Sequence, residues 1–334
     1  MVILMDENIK KLVKYSYLNM YSHVLIAALD LNLFSNLKDF KTSSQIAKMM
    51  DLHEDNTKYF LNALYSMDFI TKNDDKYKNT NATSKYLIED SPYYMGNLIK
   101  IFSKLNDFSN VDIQNLVKNG PDENFQSGDD VSFEEFYNEL KDSETGIRQV
   151  EIIDIVKNLE EYPKIKNILD LGCGAGLLGL AVVASREDIT ATLFDMPPMA
   201  SLIEECISEN NLEDRAEIKL GDYTTDDIGS NYDLIFAINT LSLAKSDMES
   251  IIKKIHDSLN DGGVFIAISD EVESDFSKPK EIIVSWLPYV LNGMNYYLIK
   301  DHVRNIALDV GFEEIKVEER FLSSGPMRIN IFKK

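Results

Sequence analysis

The chain has 334 residues, with 34 Lys and Arg against 56 Asp and Glu, for a formal net charge of −22. Such a field repels nucleic acid and anionic membrane, and no apolar run approaches membrane-span length, so partners of neither kind are expected. The opening MVILMDENIKK lacks the basic start and long apolar core of a signal peptide, and Cys173 and Cys206 have neither disulfide-framework nor metal spacing, so a cytoplasmic protein is expected.

The first part of the chain reads as helical. From Asp6, apolar residues recur at helical spacing through Ile9, Leu12, Val13, Tyr17, Met20, Tyr21, Val24 and Leu25, and Asp6 and Glu7 suit the start of that helix. TSSQIAKMMD opens with Thr42 and Gln45, a capping box. Residues 55–68, DNTKYFLNALYSMD, make a further amphipathic helix, and FITKNDDKYKNT reads as two short strands around an Asn73–Asp75 turn. Helix, helix, hairpin is the order of a winged-helix module. Its second helix carries one lysine and no arginine, which ranks a DNA-binding regulator low. Residues 90–160 read mostly as helical, broken by a polar loop around NGPDENFQSGDD.

From about residue 165 the pattern changes. KNILDLG, ATLFDMP, EIKLGD, YDLIFAI and GVFIAIS are short apolar, β-rich runs separated by helical segments such as MASLIEECISENN and MESIIKKIHDSLN. That alternation predicts an α/β fold, a parallel sheet with helices on both faces. At the tail, EIKVEERFLSS, Gly325-Pro326 and MRINIFKK predict two antiparallel strands at the sheet's edge.

The chemistry starts at NILDLGCGAGLLGLAVV, residues 167–183. Gly172, Gly174 and Gly176 form a turn between first strand and first helix, which lets a ligand approach bare backbone. GAGLLG also matches the dinucleotide pattern GxGxxG, and Asp195, closing the next strand, would accept from ribose hydroxyls in either case. Two further acids discriminate. Asp170 sets a carboxylate against the turn, poorly suited to pyrophosphate and well suited to an ammonium. Asp222, after the third strand in KLGDY, is placed to accept from an exocyclic amine such as that of adenine. Ribose, adenine and a charged amino acid together describe S-adenosylmethionine.

DLGCGAG, FDMP, GDY and DGG, in this order and spacing, resemble the class I S-adenosylmethionine-dependent methyltransferases. AALDLNLFSNL, TSSQIAKMMDL and YKNTNATSKYLIEDSP extend the resemblance to small-molecule O-methyltransferases of the plant caffeate and bacterial polyketide or phenazine type. The resemblance implies a Rossmann-like seven-stranded methyltransferase domain at 161–334, a winged-helix dimerisation domain at 1–95 and a helical linker and substrate-pocket region at 96–160. It implies a homodimer whose N-terminal helices intertwine and help line the partner's active site. By the same likeness Gly172, Gly174 and Gly176 contact the methionine end of the cofactor, Asp195 the ribose, Met196 one adenine face, and Asp222 with Tyr223 the adenine; Asn239 completes the set. The acceptor is a small molecule and the product S-adenosylhomocysteine.

The resemblance breaks at the catalytic dyad. Family O-methyltransferases place a histidine after the fourth strand and, in plant members, an orienting glutamate before the last helix; Ser242 and Tyr297 stand in those slots here. Other candidate bases are His302, His23, and Asp270 with Glu271 after the fifth strand. Methyl transfer needs mainly in-line proximity, so an acceptor that ionises by itself needs little base. O-methylation is the leading expectation, with S-, N- or C-methylation, or a non-methylating use of the same cofactor, as alternatives. Trp286, Met294, Tyr296 and Tyr297 are candidates for an aromatic wall around a flat substrate, and His256 reads as a surface residue.

Overall fold

The computed structural model describes residues 7–106, 111–122 and 133–334. Asp6 and the greater part of NGPDENFQSGDD lie outside the described residues. Two compact units divide the chain, Met1–Asn106 and Asp107–Lys334, so the helix following residue 95 belongs to the first.

In the first unit α1 (Glu7–Tyr15) and α2 (Leu18–Asp30) replace the single helix expected. The break has a local cause. Ser16 turns both its amide and its hydroxyl onto the Val13 carbonyl, at 3.0 and 2.7 Å, so that carbonyl is lost to the helical ladder. Then follow β1 (Lys41–Thr42), α3 (Ser43–Met50), α4 (Glu54–Ser66), β2 (Ile70–Asn73), β3 (Lys76–Asn79), α5 (Asn81–Tyr86) and α6 (Gly96–Leu105). The capping box forms: Thr42 Oγ1 accepts from the Gln45 amide and Gln45 Oε1 from the Thr42 amide. β1 adds a third strand to the wing, in the order β1-β3-β2. Phe34, Leu37, Ile46, Leu61, Leu64 and Tyr77 fill the core beneath it. α6 packs on α2, joined by Ser22 to Ser103 at 3.2 Å.

The second unit opens with α7 (Ile113–Asn119), α8 (Phe133–Ser143) and α9 (Ile147–Lys157). Strands and helices then alternate through β4 (Asn167–Leu171), α10 (Leu177–Ala184), β5 (Thr190–Asp195), α11 (Ala200–Glu209), β6 (Ala216–Leu220) and β7 (Tyr232–Ile238). Next come α12 (Met248–Ser258), β8 (Leu259–Ser269), β9 (Glu271–Val272), α13 (Lys280–Ser285) and α14 (Leu287–Leu291). The chain closes with β10 (Leu298–Ile299), α15 (His302–Val310), β11 (Glu313–Leu322) and β12 (Gly325–Lys333).

Seven strands form one sheet in the order β11-β12-β8-β7-β4-β5-β6. β4 to β8 run parallel and the terminal hairpin joins antiparallel, through β12 on β8. α9, α10 and α11 cover one face of the sheet, α12 and α15 the other. The central strands therefore read as apolar runs, with Ile168, Leu169, Leu234 and Phe236 fully buried. The chain winds from β4 outward to β6, then returns to β7 on the other side of β4. Such a reversal leaves a crevice at the carboxyl ends of the two strands, where ligands of open α/β sheets bind. His256 departs from the surface reading: its ring packs edge-on against Phe312, centroids 4.9 Å apart. Among the described residues no helix is long and apolar enough to cross a membrane, and no cluster of His, Cys, Asp and Glu could hold a metal ion.

Candidate functional site

The glycine turn lies at the end of β4, beside that crevice. Gly172, Gly174 and Gly176 have left-handed φ of +70°, +61° and +78°. A Cβ would lie 2.2 Å from Thr240 Oγ1 at Gly172 and 2.3 Å from Glu144 Oε1 at Gly174. So these two glycines make room first for the protein's own walls. The turn's amides are spent in the same way. Gly172 and Cys173 donate to the Phe194 carbonyl at 2.9 and 3.0 Å, and Gly176 to the Cys173 carbonyl at 2.8 Å. Gly174 donates to Asp195 Oδ2 at 2.7 Å, while Ala175 and Leu177 donate to the two oxygens of Glu144 at 3.1 and 3.0 Å.

Three carboxylates therefore gather around one turn. Asp170 is 3% exposed, and its Oδ2 accepts from the Gly179 amide at 3.0 Å, tying strand to helix. Burial, with Glu144 next, pushes its carboxyl well above the ordinary range. Asp195 accepts also from the Met196 amide at 2.7 Å, and burial raises it too. Glu144, in the turn between α8 and α9, is pushed up to about 7 by burial, against the pull of Arg148 and the two amides it caps. Sequence reading missed Glu144. It lies in no motif, and its partners are 31 and 33 residues further along the chain.

The opposite wall carries the remaining cofactor candidates. Asp222 is exposed, with one oxygen held by the Thr224 amide and hydroxyl at 2.9 and 2.6 Å. The Tyr223 hydroxyl donates to the Thr240 carbonyl at 2.9 Å and accepts from Thr240 Oγ1 at 3.2 Å, joining this turn to the end of β7. Lys254, from α12, spans the carbonyls of Tyr223, Thr224 and Asp226 at 2.8, 3.3 and 2.6 Å, a second holding residue missed in the sequence. Asn239 takes a left-handed φ of +56° at the end of β7, and Met196 is 55% exposed beside Asp195.

The catalytic candidates separate by their partners. Ser242 is half-buried after β7, and its hydroxyl makes no hydrogen bond with the described residues. Asp270, at the end of β8, accepts from Trp286 Nε1 at 2.7 Å, and burial raises its carboxyl. Trp286 in turn meets Tyr289 and Tyr296, each at 5.4 Å between centroids. Glu271 belongs to a buried network instead: it accepts from Ser269 Oγ, Asn330 Nδ2 and the Asp301 amide, and pairs with Arg328 at 3.2 Å. Tyr297 donates its hydroxyl to the Ile283 carbonyl at 2.7 Å and packs on Phe276, in a small apolar cluster with Val272 and Ile282 against which Trp286 also packs. His302 opens α15, which packs on α12, and its ring makes no hydrogen bond with the described residues. His23 is exposed on α2.

This turn cannot serve a diphosphate, because every amide from Gly172 to Leu177 is already donated within the protein. The walls offer acceptor oxygens instead. These suit a ligand rich in donors and positive charge: an ammonium, a sulfonium, ribose hydroxyls and an exocyclic amine, as in S-adenosylmethionine.

The fold is that of a Rossmann-like methyltransferase. Residues 169–265 match the methyltransferase domain family, and residues 13–89 match the O-methyltransferase dimerisation domain. The chain is a small-molecule S-adenosylmethionine-dependent methyltransferase that carries an O-methyltransferase dimerisation domain ahead of its catalytic domain. An uncharacterised protein of Methanocaldococcus jannaschii is 27% identical, covering 88% of this chain and 82% of its own length. The S-adenosyl-L-methionine-dependent methyl transferase PigF of Serratia is 25% identical, over 78% and 77% of the two chains. Human N-acetylserotonin methyltransferase, solved in complex with SAM, superposes with a TM-score of 0.70 at 20% identity, covering 100% of this chain and 99% of its own.

Proposed function

We propose that this protein transfers the methyl group of S-adenosylmethionine to an oxygen of a small organic acceptor, without a histidine base. Bound at the glycine turn, the cofactor supplies an electrophilic methyl on a sulfonium. Asp195 would hold the ribose hydroxyls, Asp222 and Tyr223 the adenine, and Met196 one adenine face. Asp170, Gly172, Gly174, Gly176 and Asn239 would surround the methionine end. The observation that supports this reading is the exhausted set of turn amides beside the carboxylates of Asp170 and Asp195, which keep lone pairs after taking one and two amides, a site for donors rather than for anions.

For the acceptor, Asp270 is the strongest candidate. It directly follows β8, two strands from the turn, roughly 10 Å across the sheet. One of its oxygens is fixed by Trp286, and burial brings its titration closer to neutrality. Ser242, whose hydroxyl has no partner among the described residues, would orient the acceptor by hydrogen bond. Glu271 and Tyr297 are fully engaged elsewhere and are assigned structural roles.

Two measurements test this. Calorimetric titration should show binding of S-adenosylhomocysteine and none of NAD. Turnover of a panel of phenols should then rise with pH through an acid limb set by Asp270. In Asp270→Asn that limb should vanish, with a rate loss of about 10²–10⁴-fold if Asp270 is the base. An unchanged profile removes Asp270 from the chemistry. Tight cofactor binding with no S-adenosylhomocysteine formed from any phenol, thiol, amine or carbon acid would point to the non-methylating alternative.

A further inference from the structure

Glu144 is a buried carboxylate, 5% exposed, that no motif predicts and that the proposed transfer does not itself use. Each of its oxygens takes one amide of the glycine turn. The turn is closed against it so tightly that a Cβ at position 174 would lie 2.3 Å from its Oε1, and any side chain there must displace the carboxylate. Glu144 thereby caps the N-terminal end of α10 and ties the turn to the α8–α9 segment.

The charged and titratable groups facing Glu144 come from every neighbouring element. Arg148 approaches from α9, Asp170 from the end of β4, Cys173 from the turn, Asp195 from the end of β5 and Cys206 from α11. Arg148 is the cation that acts most strongly on Glu144 among the described residues, set against two further carboxylates, and it is itself shared with Asp170 and Glu151. Fully ionised, these three carboxylates would outnumber the Arg148 guanidinium.

We propose that Glu144 is a positioning residue of the cofactor site: it holds the glycine turn through the Ala175 and Leu177 amides, and its ionised form is the one the cationic cofactor selects. The proposal rests on the reading that this turn holds S-adenosylmethionine. The cofactor's sulfonium and ammonium outweigh its single carboxylate by one positive charge, and brought to the cluster that net charge favours ionisation of its acids. Burial has already moved Glu144 up to about 7, so the free protein carries a proton there over part of the physiological range. Cofactor binding then expels that proton, and by linkage affinity falls as pH falls through this window.

The test compares the intact protein with Glu144→Gln by calorimetric titration with S-adenosylmethionine at pH 6 and pH 8. The ligand's own amino group titrates near ~8, so the readout is the ratio of wild-type to variant affinity, in which that contribution cancels. One linked proton makes this ratio about tenfold smaller at pH 6 than at pH 8. A ratio independent of pH overturns the proposal, and leaves Glu144 a structural cap only. If Glu144→Gln does not fold, the wild type alone decides. Titration at pH 7 in two buffers of different ionisation enthalpy should show net proton release on cofactor binding, and no release overturns the proposal. If wild type binds neither S-adenosylmethionine nor S-adenosylhomocysteine at pH 8, the cofactor reading falls, and this proposal with it.

Discussion

At the end of β5, Asp195 meets the amides of Gly174 and Met196, both at 2.7 Å, and keeps lone pairs for a ligand. Its replacement by alanine removes charge-assisted bonds to the ribose and frees a turn amide. The loss of S-adenosylhomocysteine affinity should be about 2–4 kcal/mol, allowing for non-additivity, read by calorimetry. Gly174 gives a sharper test, since it can be set against a glycine outside the site. Gly174→Ala would force a left-handed alanine, costing about 1–2 kcal/mol, and press its Cβ against Glu144. Gly120, at φ +90°, has no atom within 4 Å of a built Cβ, so Gly120→Ala meets backbone strain alone. Both should lower the melting temperature. Only Gly174→Ala should also weaken cofactor binding, by tenfold or more, and equal binding in the two variants would detach the turn from the cofactor.

Elements meet the site through their ends. β4, β5 and β7 deliver the turn, Asp195 and Asn239 because parallel strands all finish on the same side of the sheet. The turn after β6 is less constrained by the sheet, and α12 supplies what it lacks. Lys254 gathers three carbonyls of residues 223–226 beside Asp222 and Tyr223. In Lys254→Met these lose a charged donor, with an expected stability loss of about 1–3 kcal/mol. Affinity for S-adenosylhomocysteine should fall with it, while the oligomeric state stays unchanged. A variant that melts earlier yet binds normally would separate this turn from adenine recognition.

For the molecule as a whole, the unsolved surface is at the N-terminal helices. α1 buries no residue and α2 buries only Ala28 and Leu29. Ile9, Leu12, Tyr15, Tyr17, Met20 and Tyr21 are all more than 40% exposed. So many exposed apolar side chains on two successive helices mark an interaction surface, and residues 13–89 match a dimerisation domain. We expect a homodimer at micromolar concentration by sedimentation velocity. The double change Leu12→Glu with Tyr21→Glu, which alters only exposed positions, should give a monomer with unchanged circular dichroism. A dimer in that variant would place the seam elsewhere.

Sequence alone determined the α/β class, the glycine turn, the acids at 170, 195 and 222, and the antiparallel tail. Each is written locally: strand periodicity, glycine spacing, and an acid at a strand's end, where parallel order carries it to the site. Tertiary structure alone decided which side chains these features face. Glu144 is one of 56 acids, and nothing adjacent to it marks it as the cap of a turn about thirty residues on. Glu271 and Tyr297 fit catalytic slots by position, yet the β9–β10 pairing and Arg328 claim the first, and the Ile283 carbonyl claims the second. Ser16 broke the first helix by capturing a carbonyl, a choice that rests on rotamer and packing rather than on periodicity. Ser16 is exposed and its bond is local, but the other three share one physical reason. A buried polar group must find a partner, and the partner is whichever group packing brings within about 3 Å, at any distance along the chain.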